Sequence, residues 1–209
     1  MTEAAALTLV RTSEVERYRQ LFLDIHVEVR TEVGLMEDPF NAVDLFDERL
    51  TRYASRDGWE AVIGYDGKGP VGYVFGVPLG PDSVWWSSMR QPLPEDFIRE
   101  TGSRTFAVNE ILVRKRWRGP AGAGTSRILH EKLLAERAEK RATLLVDPTR
   151  SDGRLKAAYE SWGYQDISKQ QPFSNSSVFA TMVRDPLERP GRTAHTKRAR
   201  PARSGDHPR

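Results

Sequence analysis

The segment TFAVNEILVRKRWRGPAGAG, residues 105–124, places the strongest constraint on how this chain folds. It begins with nine mostly apolar residues, continues through a basic link, and ends in three closely spaced glycines, Gly119, Gly122 and Gly124. An apolar run of this length is typical of a buried strand. Glycines let the backbone turn sharply and let its N–H groups converge. Because helical spacing begins again at Thr125, we expect a strand, a tight loop and a helix in succession.

The segments on either side show the spacing of helices and strands. Upstream, apolar spacing predicts a strand at 6–10, helices at 14–32 and 43–55, and a β-hairpin at 59–79 that turns at DGKG. Downstream, it predicts a helix at 125–140, a strand at 142–146, a helix capped by Ser151 or Asp152, and strands at 164–168 and 178–184. This order predicts one mixed α/β domain that ends near residue 186.

The C-terminal segment, 187–209, differs from the rest in composition. It holds seven basic and two acidic residues, a net charge of +5, whereas the whole chain carries +3 and the remainder therefore −2. The segment has almost nothing apolar to bury, so we expect a disordered basic tail. We favour a solvated extension over nucleic-acid binding, because no aromatic residue stands between these charges.

Several classes of function are excluded by composition. The chain has no cysteine, so disulfides, thiolate metal sites and a covalent thioester on the enzyme are ruled out. His26 and His130 lie in predicted helices without a partner at ligand spacing, and no metal site is predicted. No apolar run approaches the ~20 residues that span a bilayer. The N-terminus MTEAAALTLV lacks a basic leader, which predicts a cytoplasmic protein.

The stretch GPAGAGTS, 119–126, is one residue short of a nucleotide-binding P-loop. Thr125 stands where that motif has the lysine that reaches the β- and γ-phosphates. Five residues also separate the end of the predicted strand from Gly119. We therefore favour a phosphate- or pyrophosphate-binding loop that relies on glycine N–H groups and the dipole of the following helix. A site for Mg-ATP or GTP is the alternative.

Taken together, NEILVRKRWRGPAGAGTSRILHEKLL, ATLLV and LKAAYESWGY resemble the GNAT superfamily of acetyl-CoA-dependent N-acyltransferases over about residues 105–168. The resemblance implies that 1–186 is a GNAT acetyltransferase domain. Its fold would be α/β (α+β mixed), with a central mixed, mostly antiparallel, splayed β-sheet flanked by helices. The loop is one residue longer than the family pattern, and both Gly122-Ala123-Gly124 and Gly124-Thr125-Ser126 fit the glycine core.

The same resemblance implies where acetyl-CoA, as cosubstrate, would bind. Backbone groups of Ile111, Leu112 and Val113 would meet the pantetheine arm and the acetyl carbonyl. Asp152 stands where the family often has an asparagine that contacts the cofactor. The pyrophosphate would be held mostly by main-chain N–H groups of the loop, whose implied residues are Arg118, Gly119, Ala121, Gly122, Ala123, Gly124 and Thr125.

Glu110 is the candidate catalytic base. Strict alternation along the strand places it on the same face as Phe106, Val108 and Leu112, where a carboxylate is costly unless it lines a cleft. The alternative is a bulge that turns Glu110 outward into a salt bridge with a nearby arginine. Asn109 is a second candidate for a polar site residue at this place.

Tyr159 is the candidate catalytic acid. Its position on an amphipathic helix is one where a core aromatic residue belongs. The resemblance of AAYESWGY to the family pattern implies instead that Tyr159 lies near the CoA sulfur and protonates the departing thiolate. Both roles remain open from the sequence.

These residues predict an N-acetyltransferase that moves acetyl from acetyl-CoA to a primary amine of a small molecule. Because the chain has no cysteine, direct attack in a ternary complex is the expected mechanism. Glu37 or Glu110 would attract a cationic amine. The alternatives are a protein or peptide amine as acceptor and a non-catalytic CoA-binding GNAT-fold module. A homodimer is left open, and no membrane or nucleic-acid partner is expected.

Overall fold

Seven strands pair into one mixed β-sheet. The computed structural model describes residues 7–119, 124–172 and 177–187. Within these ranges the strands are β1 (Thr8–Thr12), β2 (Glu60–Asp66), β3 (Gly69–Pro78), β4 (Thr105–Val113), β5 (Arg141–Val146), β6 (Gln165–Gln170) and β7 (Phe179–Arg184). They lie in the order β1-β2-β3-β4-β5-β7-β6. Only β4 and β5 run parallel; the other adjacent pairs are antiparallel.

Helices cover both faces of the sheet. They are α1 (Val15–Glu32), α2 (Val43–Ala54), α3 (Glu95–Ile98), α4 (Thr125–Leu134) and α5 (Arg154–Ser161). Helices α1 and α2 pack on one face, while α4 and α5 pack on the other. The predicted fold class, a mostly antiparallel sheet flanked by helices, is confirmed.

An aromatic core joins α1 to β2 and β3. The apolar stripe of α1 includes Phe22, Ile25 and Val29, all buried. The ring of Phe22 meets the ring of Tyr73 edge-on, with 4.9 Å between centroids. Full burial of one such side chain contributes roughly 1.5–3 kcal/mol, so this core holds α1 firmly against the sheet.

The opposite face packs against α4 and α5. Leu129 and Leu133 of α4 are fully buried against it. His130, on the same helix, is also buried, and its Nε2 lies 2.8 Å from the hydroxyl of Tyr164. This contact fixes the start of β6 beneath α4 and satisfies two polar groups that would otherwise be buried alone.

Strand β4 contains one extra residue. Phe75 of β3 pairs with Glu110, but the next residue, Gly76, pairs with Val108, so Asn109 forms a β-bulge. A Cβ on Gly76 would lie 2.3 Å from the carbonyl oxygen of Ala107. Only glycine permits this approach of the two backbones, so β3 carries a glycine where β4 bulges.

The bulge shows that strict alternation along β4 was a wrong prediction. Residues directly opposite each other in a sheet share a face, and Glu110 lies opposite Phe75 in the core under α1 and α2. Leu112 faces the same way. Phe106 and Val108 instead pack into the core under α4 and α5. The extra residue therefore moves Glu110 to the face opposite Phe106 and Val108.

Strands β4 and β5 part soon after they meet. Their pairing covers only Thr105–Ala107 with Arg141–Thr143. Beyond it, residues 108–113 of β4 pair with β3 alone, and residues 144–146 of β5 pair with β7 alone. The sheet therefore opens into a splayed gap, with an unpaired strand edge on each side.

A buried ion pair closes the narrow end of this gap. Glu100 Oε1 accepts hydrogen bonds from Trp86 Nε1 at 2.9 Å, Thr105 Oγ1 at 2.7 Å and Arg141 Nη2 at 3.0 Å. The guanidinium of Arg141 also packs on the ring of Phe97, 4.2 Å from its centroid. These contacts join the segment before β4 to the paired ends of both strands.

Two helix ends differ from the prediction. Helix α4 ends at Leu134, not near residue 140, and Glu136 just beyond it has a φ of +71°, which no continuing helix allows. The residue before α5 is Gly153, with a φ of +80° and no side-chain cap. Ser151 and Asp152 therefore do not cap α5.

The predicted basic tail lies outside the described residues except for Leu187, whose N–H donates to the carbonyl of Lys140 at 2.8 Å. No helix in the described ranges combines the length and apolar character that crossing a bilayer requires.

We predict that Gly76→Ala destabilises the protein by about 1–3 kcal/mol, because the added methyl group collides with the β4 backbone at the bulge. Urea denaturation of both proteins measures this difference. Gly67→Ala is the matched control in the same hairpin, since a Cβ there meets nothing within 4 Å. Equal stabilities of the two variants would contradict a close approach at Gly76.

Candidate functional site

Glu110 and Tyr159 lie on opposite faces of the sheet at the splayed gap. Glu110 belongs to the face covered by α1 and α2, and Tyr159, on α5, belongs to the opposite core with Val108 and Val146. Burial, followed by the nearby Glu110 carboxylate, raises the pKa of Tyr159, so it is a neutral phenol at pH 7. The two predicted catalytic residues therefore border the splayed gap from opposite faces of the sheet.

The carboxylate of Glu110 is held by an ion pair. Arg30 Nη2, from α1, donates to Glu110 Oε1 at 2.8 Å, and the two side chains are 19% and 17% exposed. The alternative interpretation of Glu110 expected a bulge and a salt bridge, and both are present, but the carboxylate faces the core under α1 and α2 and its partner is distant in sequence. No described residue hydrogen-bonds to Oε2 of Glu110, which leaves that oxygen open to an incoming group.

Further polar side chains lie in the same core. Together with Glu110 and Arg30 they form what we call the Glu110 cluster, whose other members are His26, Arg49, Tyr53 and Tyr73. The rings of Tyr53 and Tyr73 lie against Phe75, the residue opposite Glu110, with centroids 6.1 and 5.8 Å away, and Phe46 lies between His26 and Arg49. Burial first, and then the Glu110 carboxylate, raises the pKa of Tyr73. The hydroxyl of Tyr73 is buried and has no hydrogen-bond partner among the described residues.

His26 is neutral at pH 7, because burial lowers its pKa. Its ring stacks on Phe46 with 3.9 Å between centroids. Nε2 lies 2.9 Å from the carbonyl oxygen of Asn41, which can only accept, so Nε2 carries the proton and Nδ1 has the lone pair. Nδ1 is buried without a partner in the described part of the chain.

Sequence reasoning missed Arg30 and Arg49. Both lie at positions that continue an apolar helix face: Arg30 is four residues after His26, and Arg49 is three after Phe46. A charged residue within an apolar stripe is the signal that could have identified them. The residues that these arginines contact could not be found this way, because no sequence pattern predicts the bulge that turns Glu110 toward α1.

The glycine loop leads directly into α4. Gly119 has a φ of +65°, and Gly124, the residue before α4, has a φ of +76°, a region that glycine adopts without strain. The predicted loop residues Ala121, Gly122 and Ala123 lie outside the described residues. Thr125, the first residue of α4, is buried. The described ends of the loop suit the predicted pyrophosphate site at the start of α4.

Arg118 is engaged with α1. Its guanidinium forms an ion pair with Glu32, which Lys115 Nζ also approaches at 3.3 Å. Its backbone N–H already donates to the carbonyl of Lys115 at 3.0 Å, so the predicted contribution of Arg118 to phosphate binding requires release of Glu32 or of that carbonyl.

The backbone edge of β4 at Ile111, Leu112 and Val113 borders the gap. These residues pair with β3 on one side and have no β5 partner on the other. Beside them at the bulge, Asn109 Oδ1 is buried and unpaired among the described residues. An extended substrate with amide groups, such as a pantetheine arm, suits such an edge because unpaired strand groups need hydrogen-bond partners.

Asp152 lies in an exposed turn before α5. Its side chain is 95% exposed and lies 3.6 Å from Arg154. A cofactor contact by Asp152 stays a prediction. Among the described residues, no group of three or more His, Asp or Glu side chains is arranged to hold a metal ion.

Comparison with known proteins gives a result at the level of structure only. No family model and no curated protein matches the sequence. An acetyltransferase from Thermus thermophilus is 15% identical, with a TM-score of 0.57 over 87% of this chain and 99% of that one. A GNAT-family acetyltransferase from Staphylococcus aureus is 14% identical, with a TM-score of 0.57 over 86% and 99%.

A third similar structure, aminoglycoside 6′-acetyltransferase type Ii, is 14% identical, with a TM-score of 0.54 over 88% of this chain and 99% of that one. Identities this low establish the fold and nothing finer. The chain has the fold of GNAT N-acetyltransferases, as its motifs predicted.

We predict that Arg30→Met destabilises the protein by about 1–3 kcal/mol, because it leaves the Glu110 carboxylate largely buried and unpaired. In the double variant with Glu110→Gln, part of this loss is recovered. A double-mutant cycle by urea denaturation measures the coupling. Additive effects of the two substitutions would show that the ion pair does not form in solution.

Proposed function

We propose that this protein is an N-acetyltransferase that transfers the acetyl group of acetyl-CoA to a primary amine of a small molecule. The observation that carries the proposal is the splayed gap between β4 and β5, with Glu110 on one face and Tyr159 on the other. A thioester in this gap would have a carboxylate on the amine side and a neutral phenol on the sulfur side.

Acetyl-CoA would bind along the edge of the gap. Its pyrophosphate would meet the N-terminus of α4, where Gly119 and Gly124 turn the backbone and the helix dipole favours negative charge. Its pantetheine arm would hydrogen-bond to the unpaired edge of β4 at 111–113. A backbone N–H of this edge would polarise the acetyl carbonyl and stabilise the negative charge that develops on its oxygen.

The amine would approach from the side of α1 and α2. The amine attacks as its neutral form: its nitrogen lone pair adds to the acetyl carbon and a C–N bond forms. Glu110 Oε2 would take one proton from that nitrogen, directly or through water, as the bond forms. The C–S bond then breaks with its electron pair remaining on sulfur. Because the chain has no cysteine to form an acyl-enzyme, the transfer is direct, and much of the rate enhancement would come from positioning.

Tyr159 would act at the sulfur. A phenol whose pKa is raised stays protonated at neutral pH, but it is also a weak acid. Its main contribution would therefore be a hydrogen bond to sulfur as negative charge develops there. The thiolate leaves as free CoA after taking one proton, from Tyr159 or from water, which balances the proton given to Glu110.

Two other functions stay open within the same fold. A protein or peptide amine could replace the small molecule as acceptor. A non-catalytic CoA-binding module is favoured by one observation, the Arg30–Glu110 ion pair, since Arg30 already occupies one oxygen of the carboxylate that would act as the base. Release of free thiol in the presence of an amine separates the enzyme from the binding module.

We predict that acetyl-CoA and CoA each raise the melting temperature of the protein, because a ligand that binds only the folded state stabilises it. At about 100 times its Kd, a ligand adds roughly 2.7 kcal/mol. Mg-ATP, measured in parallel by thermal shift, should have little effect. A shift with Mg-ATP alone would contradict the acetyltransferase assignment and support a nucleotide site in the glycine loop.

We predict that Tyr159→Phe lowers kcat by about 100-fold and leaves acetyl-CoA binding nearly unchanged, because it removes only the proton donor at the sulfur. Thiol release in steady-state kinetics measures kcat, and thermal shift measures binding. Tyr164→Phe is the control: its hydroxyl bonds to His130 in the core, so it should lower stability but not kcat. Unchanged turnover in Tyr159→Phe would remove this residue from the mechanism.

A further inference from the structure

The Glu110 cluster holds more positive than negative charge. Its charged side chains are Arg30, Arg49 and Glu110, because burial keeps His26 neutral. Arg30 and Glu110 neutralise each other at 2.8 Å. Arg49 therefore adds one positive charge on the face of the sheet where the amine would bind.

Arg49 is held in place by a phenylalanine. Its guanidinium packs on the ring of Phe40 with 3.9 Å from Cζ to the ring centroid, and Nη1 donates to the carbonyl of Phe40 at 2.7 Å. The ring of Phe46 lies on the same group, 5.8 Å away. These contacts orient the plane of the guanidinium and occupy one of its nitrogens.

Arg49 has no carboxylate partner among the described residues. Its side chain is half-buried, and this burial lowers the pKa of Arg49. The Glu110 carboxylate opposes the decrease. That acid is already paired with Arg30. Nε and Nη2 of Arg49 make no hydrogen bond to described residues, so the planar edge that binds an anion through two parallel bonds is open.

We propose that the acceptor amine also carries a compact anionic group, a carboxylate or a phosphate, which Arg49 binds while the amine meets Glu110. This inference rests on the proposed acetyl transfer. A partly desolvated guanidinium without a counter-ion is costly, and an anionic ligand removes that cost. An acceptor with both charges suits the cluster, since its amine faces the open Oε2 of Glu110 and its anion faces Arg49.

The buried groups around the ion pair support a polar ligand. Tyr73 Oη and His26 Nδ1 have no partners among the described residues, and one can donate while the other accepts. Buried polar atoms without partners are uncommon in folded proteins, and they mark places where water or a ligand binds. The cluster therefore has the chemistry of a binding site for a charged, hydrogen-bonding molecule.

The test compares amines in pairs that differ only in the anionic group. Phenylalanine with phenethylamine, and lysine with cadaverine, test a carboxylate; phosphoethanolamine with ethanolamine tests a phosphate. We expect kcat/KM, measured by thiol release, to be at least about tenfold higher for the anionic member of the accepted pair. The pair that shows this preference identifies which anion is bound.

Variants at Arg49 assign the preference to this residue. Arg49→Gln should lower kcat/KM for the anionic acceptor by about 10- to 100-fold and change it less than about twofold for the matched neutral amine. Arg49→Lys should retain part of the preference, since it keeps the charge but loses the two-point geometry. Arg52→Gln, one turn away and exposed, removes the same charge and should change neither value.

The inference is overturned if the wild-type protein has equal kcat/KM values for both members of every accepted pair. It is also overturned if Arg49→Gln lowers kcat/KM equally for both members. No thiol release with any amine, despite binding of acetyl-CoA, would contradict the proposed function instead. The anion site is then tested by thermal shift with saturating CoA. The site is supported if glutarate or inorganic phosphate raises the melting temperature of the wild-type protein but not that of Arg49→Gln. Equal shifts of the melting temperature in both proteins overturn it.

Discussion

The extra residue at Asn109 in β4 is the constraint on which the candidate site depends. A bulge bends its strand and shifts the facing of the residues beyond it. Here it turns Glu110 toward α1 and α2, and two residues earlier the pairing of β4 with β5 ends at Ala107. Gly76 allows the bulge because a side chain there would collide with β4. One backbone irregularity thus sets the facing of the carboxylate, right beside the point where the gap begins.

The charges of α1 then hold this geometry in place. Three charged residues at the C-terminal end of α1 reach β4 and the basic link that follows it, through the pairs Glu28–Arg114, Arg30–Glu110 and Glu32–Arg118. The two pairs at Glu28 and Glu32 are partly exposed and contribute little stability one by one, whereas Arg30–Glu110 is largely buried. Their joint effect is to align α1 with the wide end of the gap, while the buried Glu100–Arg141 pair closes the narrow end.

The two sides of the gap differ in how far the sequence could predict them. On the proposed cosubstrate side, the strand at 105–113, the glycine loop, the helix from Thr125 and the position of Tyr159 all follow from local pattern and resemblance. On the proposed acceptor side, the residues come from three elements that only folding brings together: His26 and Arg30 from α1, Arg49 from α2 and Tyr73 from β3. Apolar periodicity places each of them near a core, but it says nothing about which polar atoms meet there.

The sequence by itself determined the order and type of the main elements, because apolar spacing and glycine positions are local properties of the chain. It also indicated Glu110 and Tyr159 as candidate titratable groups, which the structure places on the two faces of the sheet beside the gap. Only the tertiary structure decided which face of the sheet Glu110 occupies, that Arg30 neutralises it, and that Arg49 is left without a carboxylate. These facts depend on strand register and on contacts between residues distant in sequence, and a shift of one residue at the bulge reverses the facing of every residue that follows.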